Sequence, residues 1–329
     1  MSSGLKATAV AHPNIALVKY WGKRDADRIL PHQSSLSVTL APLEVVTTVR
    51  FGAPEDMVTL HGAPARGKER VRVLSLLERV RAETERPLGP VQVESRGNFP
   101  MAAGLASSAA GFAALALAGR AAAGLSTAPE LVSRLAREGS GSACRSVQGG
   151  VCIWHRGLRA DGTDSVATQA FGESHWPELR MLAAVLSRSE KEVSSRDGMA
   201  QTVETSPYYP AWVEDAEAEI GRATDAIARR DIETLGALSE RNAWRMHATA
   251  FAADPPICYL LPSTLGLILA LPAARRRGVP VWFTLDAGPN PVLLTLASHE
   301  AEVERLARDA GAVEVVRCRP GGDARLVES

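Results

Sequence analysis

A chain of 329 residues is long enough for one large domain or two ordinary ones, and a hydrophobic share of 46% supplies material for a real core. Its 37 basic and 37 acidic residues cancel, which removes the electrostatic reason to expect nucleic acid or an anionic membrane as partner but leaves room for a local basic pocket. The cysteines Cys144, Cys152, Cys258 and Cys318 form no C-x-x-C pair and the histidines no H-E-x-x-H, so reduced thiols in a cytoplasmic protein are expected rather than a disulfide framework or a structural metal.

The opening MSSGLKATAV has neither the basic start nor the long apolar run of a secretory signal. Ser35–Leu40 and Val45–Phe51 are rich in β-branched residues, lie between Pro and Gly, and predict strands. Over Glu69–Glu85, Val71, Leu74, Leu77 and Val80 recur every three residues between Arg and Glu, which predicts a helix with that apolar stripe. Val91–Ser95 predicts a strand entering a small-residue stretch over Asn98–Gly111. Phe112–Ala123 and Glu130–Glu138 predict helices. Val147–His155 predicts a strand and Arg156–Asp164 a loop.

Met181–Leu186 predicts the strand that opens a second lobe, so the lobes are placed at 1–182 and 183–329. Ser189–Gly198 reads as a loop, Val213–Arg229 and Ile232–His247 as amphipathic helices, and Leu260–Leu271 as a buried helix. Val281–Leu285 and Val292–Leu296 predict strands joined by a turn at Asp286–Asn290. Val303–Ala310 predicts a helix and Val313–Arg317 an edge strand. The uncharged stretches 97–119 and 255–274 are interrupted by Pro, Gly and Ser, and are read as buried segments rather than membrane spans. Strands and helices without regular βαβ alternation predict an α+β fold in two lobes.

Four segments carry chemistry. In PMAAGLASSAAG (100–111) a small-residue loop runs into a helix, where unpaired backbone N–H groups and the helix dipole favour an anion. Tight helix packing explains the same composition about equally well. The segment is neither a Walker A loop nor a G-x-G-x-x-G fingerprint. In NIALVKYWGKRD (14–25), strand alternation puts Lys19, Trp21 and Lys23 on one side and Tyr20 on the other. Two lysines beside a tryptophan suit an anion better than a core, although a surface strand also accounts for them. Arg145 follows two serines in GSGSACRS (139–146) and has the geometry to grip a carboxylate, or is a surface residue after a helix. Asp286 stands where a strand meets a turn, a place where an Asp is ordinarily a local cap.

Taken together these segments resemble a known family. P-x-x-x-G-L-x-S-S-A is similar to the phosphate loop of the GHMP small-molecule kinases, and N-I-A-x-x-K-Y-W-G-K resembles the mevalonate diphosphate decarboxylases. Agreement continues through 30–39, 98–100, 139–146, 173–180, 203–207, 247–249 and 286–290, in family order. The resemblance implies the GHMP kinase fold, with an N-terminal lobe like ribosomal protein S5 domain 2, a ferredoxin-like C-terminal lobe and the site between them. It implies an ATP- and Mg²⁺-dependent decarboxylase of mevalonate 5-diphosphate acting as a cytoplasmic homodimer.

Residue by residue, the resemblance implies Asp286, Lys19 and Arg145 as catalytic. It implies Asn14, Tyr20, Lys23, Ser140, Ser142 and Ser195 as substrate-binding. Asn98, Gly104, Leu105, Ala106, Ser107 and Ser108 are implied for ATP, with Mg²⁺ held through the nucleotide and the Ser107 hydroxyl as a candidate ligand. Gln33, Val147-Gln148 and Pro291 depart from the family pattern. The alternatives are a phosphomevalonate decarboxylase, a mevalonate 3-kinase-like paralogue that stops at phosphorylation, and a non-catalytic binding protein on the same fold.

Overall fold

The computed structural model describes residues 5–99, 107–189 and 191–327. The first half of the chain runs β1 (Lys6–Ala11), β2 (Asn14–Val18), β3 (Lys23–Asp25), β4 (Leu30–Pro31), β5 (Ser35–Ala41), β6 (Val45–Phe51), β7 (Met57–Leu60), β8 (Ala63–Pro64), α1 (Gly67–Ala82), β9 (Val91–Gly97), α2 (Ser107–Ala122) and α3 (Pro129–Gly139). A 3-10 turn (Gly141–Ser146) leads into β10 (Val151–Trp154), β11 (Ala167–Phe171) and β12 (Leu179–Val185). Then come α4 (Ser195–Thr205), α5 (Tyr209–Ala228), α6 (Ile232–Phe251), α7 (Pro262–Arg276), β13 (Trp282–Thr284), β14 (Val292–Leu296), α8 (Glu300–Asp309), β15 (Glu314–Pro320) and β16 (Arg325–Val327).

Two large sheets organise these elements. One has the order β16-β1-β6-β9-β7-β8, and the other β11-β10-β5-β15-β12-β14-β13 with β2 also paired to β5. α1 to α3 cover the first sheet. The stripe that α1 buries is Val73, Leu76, Leu77 and Val80, whereas Val71 is 60% exposed. A strict spacing of three drifts around a helix of 3.6 residues per turn, and the buried set follows the true period instead. α2 is nearly all Ala, Gly and Leu, and its small side chains let it lie close against the sheet among Val49, Val93 and Phe51.

β12 shows why the second sheet reads as continuous apolar sequence. Leu179, Met181, Ala183 and Val185 face a core shared with α5 and α6, while Leu182 and Ala184 face one shared with α7 and α8. Alternate side chains point to opposite faces and both faces are covered, so no polar alternation survives.

Several expected elements take different forms. In place of an edge strand over Val313–Arg317, β15 lies inside the sheet, pairing with β12 on one side and β5 on the other. The strand expected over Val147–His155 is confined to 151–154, since 147–150 bend irregularly after the 3-10 turn, with Gly150 at φ +67. Ser189–Gly198 is not loop throughout, since α4 begins at Ser195 under a Ser194 cap that accepts from the Asp197 N–H. The continuous strand expected through Lys19–Lys23 ends at Val18, and Gly22, at φ +99, turns the chain before β3. β12 straddles residue 182, and β16 returns from the end of the described chain to pair with β1. No helix among the described residues is long and apolar enough to cross a membrane.

Candidate active site

Lys19 stands one residue past β2 and is 1% exposed. Its Nζ donates to the Ala16 carbonyl at 2.9 Å and to Asp286 Oδ1 at 2.6 Å. Burial lowers the lysine's pKa and Asp286 opposes that shift, while Arg145 adds to it. Asp286 follows β13 and keeps 36% of its side chain exposed. The pair therefore joins the end of β2, which pairs with β5, to the segment after β13, the strand at one end of the same sheet.

Arg145 lies in the 3-10 turn, 3% exposed. Its Nε and Nη2 both donate to Asn14 Oδ1 at 3.3 Å, its Nη1 donates to Ser35 Oγ at 2.6 Å, and its guanidinium stands 5.9 Å from the Trp154 ring centroid. Asn14 in turn donates to Ser146 Oγ at 2.7 Å and the Ser142 carbonyl at 3.0 Å. Asn14 thus fixes both the arginine and the turn that carries it. Tyr20 packs edge-on against Trp154 at 4.6 Å. A Cβ at position 141 would lie 2.8–3.0 Å from the Tyr20 ring, so Gly141 is what allows the turn and the ring to meet. The Tyr20 hydroxyl is buried and has no hydrogen-bond partner among the described residues. Ser140 and Ser142 flank Gly141 on the same turn.

Lys23, Arg72 and Arg196 form a second basic group. Burial lowers the Lys23 pKa, and the charges of Arg196 and Arg72 lower it further; Arg72 is lowered by burial and then by Arg196. Ser195 Oγ accepts from Lys191 Nζ at 2.8 Å, and the same ammonium donates to the Ala287 carbonyl at 2.9 Å. Among the described residues, Lys23, Arg72, Arg145, Lys191 and Arg196 have no carboxylate at ion-pair distance. In an otherwise neutral protein, that concentration of uncompensated cations marks a site for a polyanion.

Of the residues expected at the nucleotide, Gly104, Leu105 and Ala106 lie outside the described residues, and Ser107 and Ser108 open α2. A cavity of about 100 Å³ lies beside that helix start, bounded by Thr47, His61, Arg72, Ser95, Ser108 and Phe112. Asn98 has a different local role: its Oδ1 accepts from the Glu44 N–H at 2.9 Å and its Nδ2 donates to the Pro42 carbonyl at 2.9 Å, pinning the β5–β6 turn. No group of three or more metal-ligating side chains occurs among the described residues.

Sequence reasoning missed Arg72 and Lys191, as well as Glu219 and Asn242 behind the site. Arg72 is hidden in the Arg/Glu alternation of α1, with no spacing to single it out. Glu219 and Asn242 did carry a signal, since each is a polar residue on the apolar stripe of its helix. Trp212, Ala216 and Ala223 flank Glu219 on α5; Leu235, Leu238 and Met246 flank Asn242 on α6.

Two sheets of this topology, carrying a buried lysine–aspartate pair and a group of uncompensated cations, have the architecture of the GHMP kinase fold. The description "Diphosphomevalonate decarboxylase-like N-terminal domain" matches residues 11–167, and "Mevalonate 5-diphosphate decarboxylase C-terminal domain" matches 181–314. The chain is 40% identical to diphosphomevalonate decarboxylase of Eremothecium gossypii over 90% of its own length and 79% of that protein. It is also 40% identical to the human enzyme, over 90% and 78%. Among solved structures, mevalonate diphosphate decarboxylase from Staphylococcus aureus superposes with a TM-score of 0.92 at 33% identity, covering 98% of each chain. A structure described as MDDEF in complex with MVAPP, AMPPCP and magnesium superposes with a TM-score of 0.92 at 39% identity, covering 99% of this chain and all of that one. The protein belongs to the diphosphomevalonate decarboxylase family.

Proposed function

We propose that the protein converts mevalonate 5-diphosphate and ATP into isopentenyl diphosphate, ADP, phosphate and carbon dioxide. What carries this reading is the way the cleft's charges are distributed: one lysine-held aspartate, one buried arginine without an acid partner, and a separate basic group. The substrate presents a hydroxyl to be phosphorylated, a carboxylate to be lost and a diphosphate to be held, which is the same set of three.

Asp286 orients the C3 hydroxyl and takes its proton as the phosphoryl group arrives, and Lys19 holds the aspartate in place and stabilises the transferred group. Phosphate then departs from a tertiary carbon. The bond between C2 and the carboxylate carbon breaks, and its electron pair moves into C2–C3, forming the alkene as carbon dioxide leaves. Arg145 aims the carboxylate for this step, and its sharing of Asn14 and Ser35 keeps it from neutralising the carboxylate so fully that the ground state is favoured. Lys23, Arg196, Tyr20 and Ser195 hold the diphosphate, with Ser140 and Ser142 lining the pocket. Gly104, Leu105 and Ala106, together with Ser107 and Ser108 at the start of α2, receive the ATP phosphates, and the neighbouring cavity receives the base. Magnesium would be held through those phosphates, with the Ser107 hydroxyl as a candidate ligand, and would supply charge neutralisation there.

Three cations in one group favour two phosphates over one, which sets the diphosphate reading above a monophosphate decarboxylase. The proposal includes a cytoplasmic homodimer, supported by free thiols at all four cysteines and by an exposed row on α7 and its cap: Leu261, Leu265 and Leu269, the last 72% exposed. Purified protein with ATP, Mg²⁺ and either phosphorylated mevalonate tests the reading. Carbon dioxide in step with ADP, from the diphosphate only, is expected. Carbon dioxide from the monophosphate would reassign the substrate, and ADP without carbon dioxide would make the protein a kinase. Sedimentation velocity tests the dimer, and a monomer across the micromolar range would remove it.

A further inference from the structure

Lys19 is held from behind as well as from the cleft. Its backbone N–H donates to Asn242 Oδ1 at 2.7 Å, and both residues are 1% exposed. Asn242 Nδ2 donates to Glu219 Oε2, and Glu219 Oε1 accepts from Arg241 Nε at 3.0 Å and Arg245 Nη1 at 3.3 Å. Glu219 is itself 1% exposed. The chain leaves β2 at this point, so the Lys19 amide has no ladder partner among the β2–β5 pairs.

We propose that Glu219 and Asn242 are positioning residues that set the Lys19 backbone, and through it the distance from Lys19 to Asp286. A carboxylate facing two arginines can only accept, so Asn242 must turn its NH₂ toward Glu219 and its oxygen toward Lys19. The acid on α5 thereby dictates which way the amide on α6 points. If the amide reversed, an NH₂ would face the Lys19 N–H, donor against donor, and the buried N–H would lose its partner. Lys19 would be free to draw back from Asp286, and displacements near 1 Å at a reacting group lower rates by about 100-fold. Neither residue touches the substrate, so the loss falls on turnover rather than binding.

The proposal rests on the role given to Lys19 above, and the experiment separates the two. Glu219→Gln gives position 219 a donor and removes what fixes the amide. Asn242→Asp keeps an acceptor for Lys19 but sets two carboxylates against each other. The double variant E219Q/N242D restores the pattern in reverse: the new amide at position 219 donates to the new carboxylate at position 242, which still accepts from the Lys19 N–H. Each single variant is expected to lower kcat about 10- to 100-fold with KM for both substrates within about threefold, and the double variant to recover most of the loss. In a Lys19→Met background, Glu219→Gln is expected to lower kcat no further. The proposal is overturned if folded single variants keep wild-type kcat, if the double variant recovers nothing, or if Glu219→Gln costs as much in the Lys19→Met background as in the wild type. Should Asn242→Asp fail to fold, Glu219→Gln with and without Lys19→Met decides alone. Full activity of Lys19→Met would instead remove the reading of Lys19 itself.

Discussion

In the proposed mechanism Asp286, Lys19 and Arg145 have separate tasks, so their variants should differ in kind. Asp286→Asn leaves a hydrogen-bonding group in place but removes the proton acceptor, so single-turnover experiments should show the rate falling by about 10²–10⁴-fold with substrate affinity retained. Arg145→Gln should separate the two half-reactions, with ADP release outlasting carbon dioxide release; parallel loss of both would give Arg145 a role in phosphoryl transfer as well. His247 is buried beside the Lys19–Asp286 pair, and burial, reinforced by Lys19, pushes its pKa down to about 4. The unfolded chain binds that proton near pH 6.5 and the folded chain does not, so His247 is neutral to stability above pH 6.5 and opposes the fold increasingly as pH falls toward 4. Urea unfolding at pH 7, 6 and 5 should show stability falling by up to about 1.4 kcal/mol per pH unit from this group, and His247→Gln should flatten that slope. At this scale the three charged residues could be singled out in the sequence because each stands in a segment that resembles the family, and the structure brings Lys19 and Asp286 together. Arg72, Lys191, Glu219 and Asn242 were not, because their roles depend on which residue from a distant segment lies opposite.

Turns and caps decide how the elements meet. Gly22 shows this: it has φ +99, and a Cβ there would lie 1.9 Å from Tyr209 Oη and 2.7 Å from Val203 Cγ2. Tyr209 Oη donates to the Trp21 carbonyl at 3.0 Å, so the close approach also ties α5 to the segment between β2 and β3. Gly22→Ala combines left-handed strain with a clash and should cost roughly 2–4 kcal/mol in chemical denaturation. A cost below about 1 kcal/mol would show that Tyr209 swings aside freely. The existence and type of long elements such as α1, α5 and α6 followed from their periodicity. The short strands β3, β4, β7, β8 and β16 carry too few residues to show one, and the central place of β15 depends on partners about 130 and 280 positions earlier in the chain.

The two family-model regions meet in one sheet. β15 bridges β12 to β5, the Lys19–Asp286 pair spans 267 positions, and β16 closes the first sheet against β1. Continuous backbone pairing across the lobes predicts one cooperative unfolding transition in scanning calorimetry, with calorimetric and van't Hoff enthalpies in agreement. Two resolved transitions would show that the lobes melt separately. A two-lobed α+β fold was legible in the order of predicted elements. The interleaving of its ends was not, because hydrophobic patterning shows which faces are buried but not which strand lies alongside.

The place of β15 also bears on how the molecule is made. A ribosome delivers the first lobe's residues long before residue 314, so during synthesis β5 waits with part of its edge unpaired and exposed to other chains. The half-finished protein therefore cannot be secured one lobe at a time. The step that joins the two lobes into one sheet comes only when residues 314–320 emerge and slot between strands made much earlier.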